Sequence, residues 1–287
     1  MKDKIIKAVA KDNTVRIIAT TSTNLLNKIR ELYKLNELTM IAFGKLMTAS
    51  AMISSTNKTV SDSIMIRFDG DGFLKNMTTI TRGDGTLKGY ISDPDAFCES
   101  LKISDLIGEG FLVITKDFGL RNPYTSKVPL YRSDICNDLA YYYTLSEQTP
   151  TAISVEIDFD NGGCVKNSIG LMVQMLPGAS EMLADIIAYR FQDMGKMLEH
   201  LKDGKTIYDI LNFMFDDMGL KILNESVFEY KCDCSVEKVE RALISLGKVE
   251  LKNIIDEGKE ETIICDYCKS KYTFDQNNLK NLYNKIK

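Results

Sequence analysis

The chain has 287 residues and carries 40 acidic against 36 basic side chains, for a formal net charge of −4. This length predicts about two domains. The mild acidity counts against a nucleic-acid partner or an anionic membrane surface, because both call for clustered Lys and Arg. Apolar runs are also far shorter than the roughly 20 residues of a membrane-spanning helix, so no membrane partner is expected.

The first residues, MKDKIIKAVAKDN, contain lysines that interrupt any apolar stretch, so no secretory signal peptide is predicted. We therefore expect a cytoplasmic protein. In that reducing compartment, clustered cysteines bind metal or carry out redox chemistry more often than they form structural disulfides.

Residues 1–178 are predicted to form an α+β core domain. A strand is predicted over Thr14–Thr20, and helices over Asn24–Leu35 and about Leu38–Ser54. Further segments have the alternating apolar and polar residues and the Asp-Gly turns of strands: SDSIMIRFDGDG, FLKNMTTITRGDG, TLKGYISDP, FLVITKDF and AISVEIDF. Because strands and helices are segregated, α+β is favoured over a doubly wound parallel sheet.

A boundary is predicted near Pro177-Gly178, after which the pattern becomes helical. Apolar residues at helical spacing predict one helix around Met182–Phe191 and another around Ile207–Met218. Glycines divide this region into short helices, which are marginal in isolation and depend on packing. We interpret residues 179–231 as a helical linker.

Residues 232–287 hold four of the seven cysteines in two close pairs. Cys232 and Cys234 form C-x-C, and Cys265 and Cys268 form C-x-x-C. Two such pairs separated by a small folded unit can bring four sulfurs to one tetrahedral zinc ion, and thiolates favour zinc over magnesium, calcium or manganese. We predict one zinc per chain in a small C-terminal zinc-binding domain. An iron–sulfur cluster or four unrelated buried thiols are the alternatives.

Local signals fill in this domain. Ser235 is a good N-cap for a helix over Val236–Leu246, and ETIICDYCKSKYTF is typical of a strand, a knuckle turn and a second strand. Asp275 is placed to cap a final helix through Tyr283. Flanking lysines are expected to favour the thiolates. The other cysteines, Cys98, Cys136 and Cys164, are expected to be buried structural thiols.

The cysteine spacing indicates a switch. If zinc leaves, a disulfide within either pair closes only a tiny ring, which removes little entropy from the unfolded chain and tends to be strained and labile. Zinc supplies roughly 10–16 kcal/mol of folding energy, comparable to or above the roughly 5–15 kcal/mol stability of a typical domain. Oxidation of the thiolates would therefore unfold the short tail and remove a packing partner from the linker.

Six motifs follow one another along the chain: GKLMTASAMISS (Gly44–Ser55), GDGTLKGY (Gly83–Tyr90), DLAYYYTLSEQTP (Asp138–Pro150), VQMLPGA (Val173–Ala179), CDCSVEKVERALISLG (Cys232–Gly247) and CDYC (Cys265–Cys268). In this order they resemble the bacterial thirty-three-kilodalton chaperonin family, which consists of redox-regulated heat-shock chaperones. The resemblance covers essentially the whole chain.

The resemblance implies an ATP-independent holdase and not an enzyme. It implies that the reduced, zinc-bound form is inactive and that oxidation releases zinc and forms the disulfides Cys232–Cys234 and Cys265–Cys268. The linker then unfolds, and the protein, usually as a homodimer, binds unfolding client proteins. The cysteines at positions 98, 136 and 164 are not part of the family pattern.

Two other functions are compatible with the cysteines alone. A zinc-ribbon nucleic-acid or ribosome-associated factor is disfavoured by the net acidity and the lack of a basic stripe. A thiol–disulfide oxidoreductase is disfavoured because its C-x-x-C motif should open a helix in a βαβ unit. A single histidine, His200, leaves little for histidine-dependent catalysis.

Overall fold

The computed structural model describes residues 2–193 and 195–286. The chain divides into two compact units, Met1–Tyr230 and Lys231–Lys287. Within the described residues, every helix is too short or too polar to cross a lipid bilayer.

The described residues of the first unit form two β-sheets. Its strands are β1 (Lys4–Ala10), β2 (Val15–Thr21), β3 (Ser63–Gly70), β4 (Asn76–Arg82), β5 (Thr86–Ile91), β6 (Gly110–Asp117), β7 (Tyr124–Pro129), β8 (Thr151–Phe159), β9 (Val165–Met175), β10 (Lys221–Ser226) and β11 (Glu229–Tyr230). Among the described residues, sheet A has the strand order β10-β1-β2-β9-β8, and sheet B has the order β11-β5-β4-β3-β6-β7.

The helices of this unit are α1 (Thr23–Tyr33), α2 (Glu37–Ser54), α3 (Ile103–Ile107), α4 (Ile135–Ser146), α5 (Glu181–Asp193), α6 (Met197–Lys202) and α7 (Ile207–Phe215), which continues into a 3₁₀ turn over Asp216–Met218. The pairings within both sheets are antiparallel except that β11 runs parallel to β5. The predicted α+β class is therefore confirmed.

Helix α2 lies at the centre of the core that joins both sheets. It is apolar on every side, which is typical of a fully buried helix, and nearly all of its residues are buried. Close packing depends on Gly44, because a Cβ atom there would lie 2.8 Å from Ile157 Cδ1 of sheet A. Phe43, Leu46 and Met47 fill the same core.

Sheet A is buried on both faces. Neighbouring residues of β2 point to opposite sides, as the alternation of a strand requires. Ile18 packs in the core around α2, whereas Ile17 packs in a second core formed with α5, α6 and α7. The helices of residues 179–231 thus cover an apolar sheet face that contains Ile17, Leu171 and Val173.

The segment 179–231 contains the predicted helices but is not entirely helical. Strand β10 pairs with β1 from Ile5↔Ser226 to Val9↔Lys221, and β11 joins sheet B. Most side chains of β10 are exposed, so its backbone hydrogen bonds to β1 hold it in the sheet. Its sequence therefore shows no alternation of apolar residues that would predict a strand. The separate behaviour of core and linker on oxidation stays a prediction.

One ion pair ties the helices of this segment together. The Arg190 guanidinium on α5 donates to both carboxylate oxygens of Asp217, at 2.7 and 2.5 Å, and also to the carbonyl oxygen of Met214. Hydrogen bonding from Arg190 lowers the pKa of the Asp217 carboxyl. The fork geometry is the bidentate arrangement that Arg makes with carboxylates.

The second unit is small. Its elements are α8 (Val236–Ser245), α9 (Lys248–Asp256), β12 (Glu261–Ile264), β13 (Lys271–Phe274) and α10 (Gln276–Lys285). Ser235 and Asp275 cap α8 and α10 through their side chains, as predicted. Its buried core consists of Leu243, Leu251, Phe274, Leu279 and Leu282, with partly buried neighbours. A core of this size supplies little stability without a staple such as a disulfide or a metal.

Candidate metal centre

The C-x-x-C pair lies in a tight turn between β12 and β13. The backbone N–H of Cys265 donates to the carbonyl oxygen of Ser270 at 2.9 Å, and the N–H of Lys269 donates to that of Cys265 at 2.8 Å. Lys269 has a positive φ of 56°. The turn therefore reverses the chain so that Cys265 and Cys268 stay close together.

The C-x-C pair lies immediately before α8. The Ser235 hydroxyl group accepts a hydrogen bond from the backbone N–H of Lys238 at 3.3 Å. This contact caps α8 at the residue that follows Cys234. The Lys238 ammonium group also pairs with the carboxylate of Asp233, between the two cysteines. The start of the helix and this ion pair hold Cys232 and Cys234 in place.

The structure brings the four predicted ligands together. Their sulfur atoms all lie within 4.8 Å of one another, and all four residues are partly buried. Cys232 Sγ lies 3.8 Å from Cys265 Sγ, and Cys234 Sγ lies 3.2 Å from Cys268 Sγ. Four sulfurs about 2.3 Å from a tetrahedral zinc would lie about 3.8 Å apart. Donor chemistry and spacing therefore fit a zinc ion.

The thiols differ in acidity. Burial raises the pKa of Cys232 and Cys234. Burial acts in the same direction on Cys268, but hydrogen bonds with the side chain and backbone of Ser270 outweigh it and lower the pKa of Cys268 to about 7. The sequence suggests flanking lysines as the source of thiolate character; in the structure, Ser270 and the neighbouring cysteines stabilise the Cys268 thiolate. Of Cys232, Cys234 and Cys268, Cys268 is consequently the thiol that ionises most readily.

Tyr272 is a part of this centre that the sequence analysis missed. Its hydroxyl group donates to Cys234 Sγ at 2.9 Å from strand β13, and this hydrogen bond raises the pKa of the Tyr272 hydroxyl. Tyr272 lies four residues after Cys268, but a tyrosine in a strand is ordinarily read as packing, so nothing in the pattern singles it out. Its position is that of an outer hydrogen-bond donor to a predicted metal ligand.

Tyr272→Phe is expected to weaken zinc binding by about 10–100-fold, because loss of an outer hydrogen bond to a metal ligand typically has that effect. Titration of the reduced protein against a chromophoric chelator measures this affinity. Tyr283→Phe, in the α10 helix of the same unit, is the matched control. Equal zinc affinities for the two variants would contradict the role of Tyr272.

The three remaining cysteines lie outside this centre, in the first unit. Cys98 and Cys136 are buried as expected, and burial raises the pKa of Cys136 to about 12. The expectation was wrong for Cys164, which is exposed. It lies in the Asn-Gly-Gly turn between β8 and β9, where its Sγ atom is 3.5 Å from the Arg30 guanidinium. A polar turn at the end of a hairpin offers no apolar surroundings for a thiol.

The match to known families covers almost all of the chain. The family model described as Hsp33 protein matches residues 3–275. The chain belongs to the Hsp33 family. Hsp33 relatives include the 33 kDa chaperonin of Clostridium novyi (strain NT), 42% identical over the full length of both chains. A second is the 33 kDa chaperonin of Clostridium botulinum (strain 657 / Type Ba4), 44% identical over 96% of this chain and 95% of that protein.

The fold is also that of a solved Hsp33 structure. The crystal structure of the 33 kDa chaperonin (heat shock protein 33 homolog) from Thermotoga maritima matches with a TM-score of 0.89 at 24% identity, covering 99% of this chain and 98% of that one. The family resemblance drawn from the motifs is confirmed, and Hsp33 is a family of chaperones.

Proposed function

We propose that this protein is a redox-regulated, ATP-independent holdase that binds unfolding client proteins when its zinc-bound cysteines are oxidised. The ligands are Cys232, Cys234, Cys265 and Cys268, with one zinc ion per reduced chain. The protein acts in the cytoplasm, usually as a homodimer when oxidised. It carries out no catalytic turnover, and neither nucleic acid nor a membrane is a partner.

One observation carries this proposal: four thiols lie within 4.8 Å of one another in a unit whose described residues include a buried core of five side chains. Bound zinc supplies roughly 10–16 kcal/mol of folding energy to such a unit. Most of the order of this unit therefore depends on sulfur atoms that an oxidant can reach, since all four cysteines are only partly buried.

Oxidation follows from the chemistry of the thiols. A thiolate attacks hydrogen peroxide to give a sulfenic acid and release hydroxide, and a neighbouring thiol then condenses with it to form a disulfide and water. Each disulfide uses one peroxide, which is reduced as two sulfurs are oxidised. By analogy with the family we assign the disulfides to Cys232–Cys234 and Cys265–Cys268. Hydrogen bonding by Ser270 lowers the pKa of Cys268 to about 7, so without metal this thiol ionises more readily than Cys232 or Cys234.

The chain connection links this event to the helices of residues 179–231. Only Lys231 separates Tyr230, the last residue of β11, from Cys232. In this proposal, unfolding of the second unit destabilises the adjoining segment, and α5–α7 then detach from sheet A. The apolar face with Ile17 and Val173 then becomes available to unfolding proteins. No nucleotide is required, because the oxidant drives the change.

The deciding experiment is light scattering of a heat-denatured client with reduced and peroxide-oxidised protein, with released zinc measured in the same samples. We expect suppression of aggregation only after oxidation, one zinc released per chain, and lower helix content. Mass spectrometry of the oxidised protein should find both disulfides within the pairs. Full suppression by reduced protein, or oxidation without zinc release, would overturn the proposal. Reduction with added zinc provides the control for reversibility.

A further inference from the structure

A cleft of about 270 Å³ opens between the ends of the two sheets, where the chain leaves helix α2. Sheet A contributes residues of β2 and β9 to its walls, and sheet B contributes residues of β3 and β6. Helix α4 and the turn after it form a further wall, and the cleft lies within the first unit. Its size is just below the roughly 300–1,000 Å³ typical of ligand sites, which suits a small molecule.

The cleft is positively charged. Three cations line it, Arg16, Lys58 and Lys116, against one carboxylate, Glu147. The formal charge of this lining is therefore +2, on a chain whose net charge is −4. A cleft lined by charges of one sign attracts a ligand of the opposite sign. The ligand that fits this lining is an anion.

Two of these cations have N–H donors left for a ligand. The Lys116 side chain is only 13% exposed, and its ammonium group donates to the Glu147 carboxylate at 2.7 Å. The exposed Arg16 guanidinium donates from Nη1 to Gln174 Oε1 at 3.3 Å. Each contact uses only part of the N–H groups that Lys and Arg carry. Both side chains can therefore bind a further acceptor and keep their present partners.

A buried hydroxyl group adds a third donor. Tyr143 lines the cleft from α4 and is 6% exposed. Its ring contacts Tyr142 and the Lys116 ammonium group, but its hydroxyl group has no hydrogen-bond partner among the described residues. Burial raises the pKa of Tyr143, so the hydroxyl group keeps its proton at neutral pH. Because buried polar groups are nearly always hydrogen-bonded, this unpaired donor points to an acceptor on a ligand.

The same wall has more unused hydrogen-bonding capacity. The side-chain amide of Asn57 also lines the cleft, and neither its nitrogen nor its oxygen has a partner among the described residues. Part of the lining is apolar, since Ile64, Phe118 and Leu176 belong to it. Phe118 is 47% exposed, and contact with an apolar group would remove this ring from water, which is favourable. The ligand therefore combines a charged group with an apolar one.

We propose that this cleft binds a small phosphate monoester whose organic part is apolar. Arg16, Lys116 and Tyr143 donate to the phosphate oxygens, and Phe118 and Leu176 contact the organic part. A phosphate monoester carries a charge of about −1.5 to −2 at pH 7 and three acceptor oxygens, which matches the charge of the lining and its donors. A carboxylate carries a single charge and fewer oxygens. Client binding and the redox switch play no part in this site.

Isothermal titration calorimetry of the full-length, reduced protein with phenyl phosphate tests the site. Inorganic phosphate and benzoate are the comparison ligands, since the first lacks the apolar part and the second lacks the phosphate. Tyr143→Phe removes only a hydroxyl group, and Tyr141→Phe on the same helix is its control. Arg16→Gln removes one positive charge, and Lys166→Gln, at an exposed position of β9, removes the same charge elsewhere.

We expect Arg16→Gln and Tyr143→Phe each to weaken binding of phenyl phosphate at least about tenfold, because each loses a hydrogen bond to a charged group. Both control variants should bind it like the wild type. Inorganic phosphate and benzoate should bind the wild type at least about tenfold more weakly than phenyl phosphate.

Three results would overturn the proposal. The first is no binding by the wild type at up to about 10 mM phenyl phosphate. The second is equal affinity of the wild type, Arg16→Gln and Tyr143→Phe for phenyl phosphate. The third is an affinity of the wild type for benzoate or inorganic phosphate that equals its affinity for phenyl phosphate.

Nuclear magnetic resonance of the wild-type protein locates the ligand if a variant does not fold. Phenyl phosphate should shift the backbone amide resonances of residues 56–58 and 116–118, which include lining residues of the cleft. Shifts confined to other parts of the chain would place the ligand elsewhere and refute the site.

Discussion

Replacing Cys232 and Cys234 together with serine is expected to leave the second unit without zinc and unfolded. Two of four ligands are lost, and serine hydroxyls are poor replacements for the thiolates that zinc prefers. The remaining core of five buried side chains does not compensate for roughly 10–16 kcal/mol of metal binding energy. We therefore also expect aggregation suppression by the variant without any oxidant.

Elemental analysis, circular dichroism and limited proteolysis measure the three consequences. Zinc should fall from one ion per chain to near zero, helix content should drop, and cleavage should appear within residues 231–287. Cys164→Ser is the control, because Cys164 is exposed and lies in the other unit. Unchanged zinc content in the double variant would show that the ligands have been assigned wrongly.

Phe215→Ala is expected to activate the reduced, zinc-loaded protein. Phe215 is fully buried in the core between α5–α7 and sheet A. Truncating a buried Phe to Ala typically costs about 3–5 kcal/mol, which raises the population of detached helices by about a hundredfold or more. The four predicted zinc ligands are unchanged in this variant, so its zinc content should equal that of the wild type.

The neighbouring residue Phe213 provides the control. It lies on the same helix two residues earlier and is 62% exposed, so Phe213→Ala creates no cavity. Light scattering of a heat-denatured client under reducing conditions should show suppression by Phe215→Ala and none by Phe213→Ala. If the two variants suppress aggregation equally, detachment of α5–α7 is not needed for client binding. That step would then be removed from the proposed function.

The sequence was most informative where chemistry depends on spacing. The pairs Cys232–Cys234 and Cys265–Cys268 can be recognised from their positions alone, and the structure brings them together. The caps Ser235 and Asp275 were predictable for a similar reason, since an N-cap acts on backbone groups two or three residues away. Strands β3, β4 and β5, with their Asp-Gly turns, also follow local rules.

Features that depend on contacts between distant parts of the chain could not be predicted from the sequence. Strand β1 contains Lys4 and Lys7, which break its apolar pattern, and it is held by β2 on one side and β10 on the other. Strand β10 is mostly exposed and forms because an edge is available, not because it is apolar. Tyr272 acquires its role only when β13 places it beside Cys234. Contacts such as β1 with β10, or Tyr272 with Cys234, leave no local period in the sequence to detect.

Because sheet A is buried on both faces, the proposed detachment of α5–α7 would leave its other face packed against α2. Ile18 and Met172 remain clamped by α2 even if the helices over Ile17 and Val173 depart. In the proposed function, partial unfolding exposes apolar surface, and such surface carries the risk that the chaperone itself aggregates. The packing of α2 against the other face limits that risk, because it keeps the strands of sheet A from rearranging.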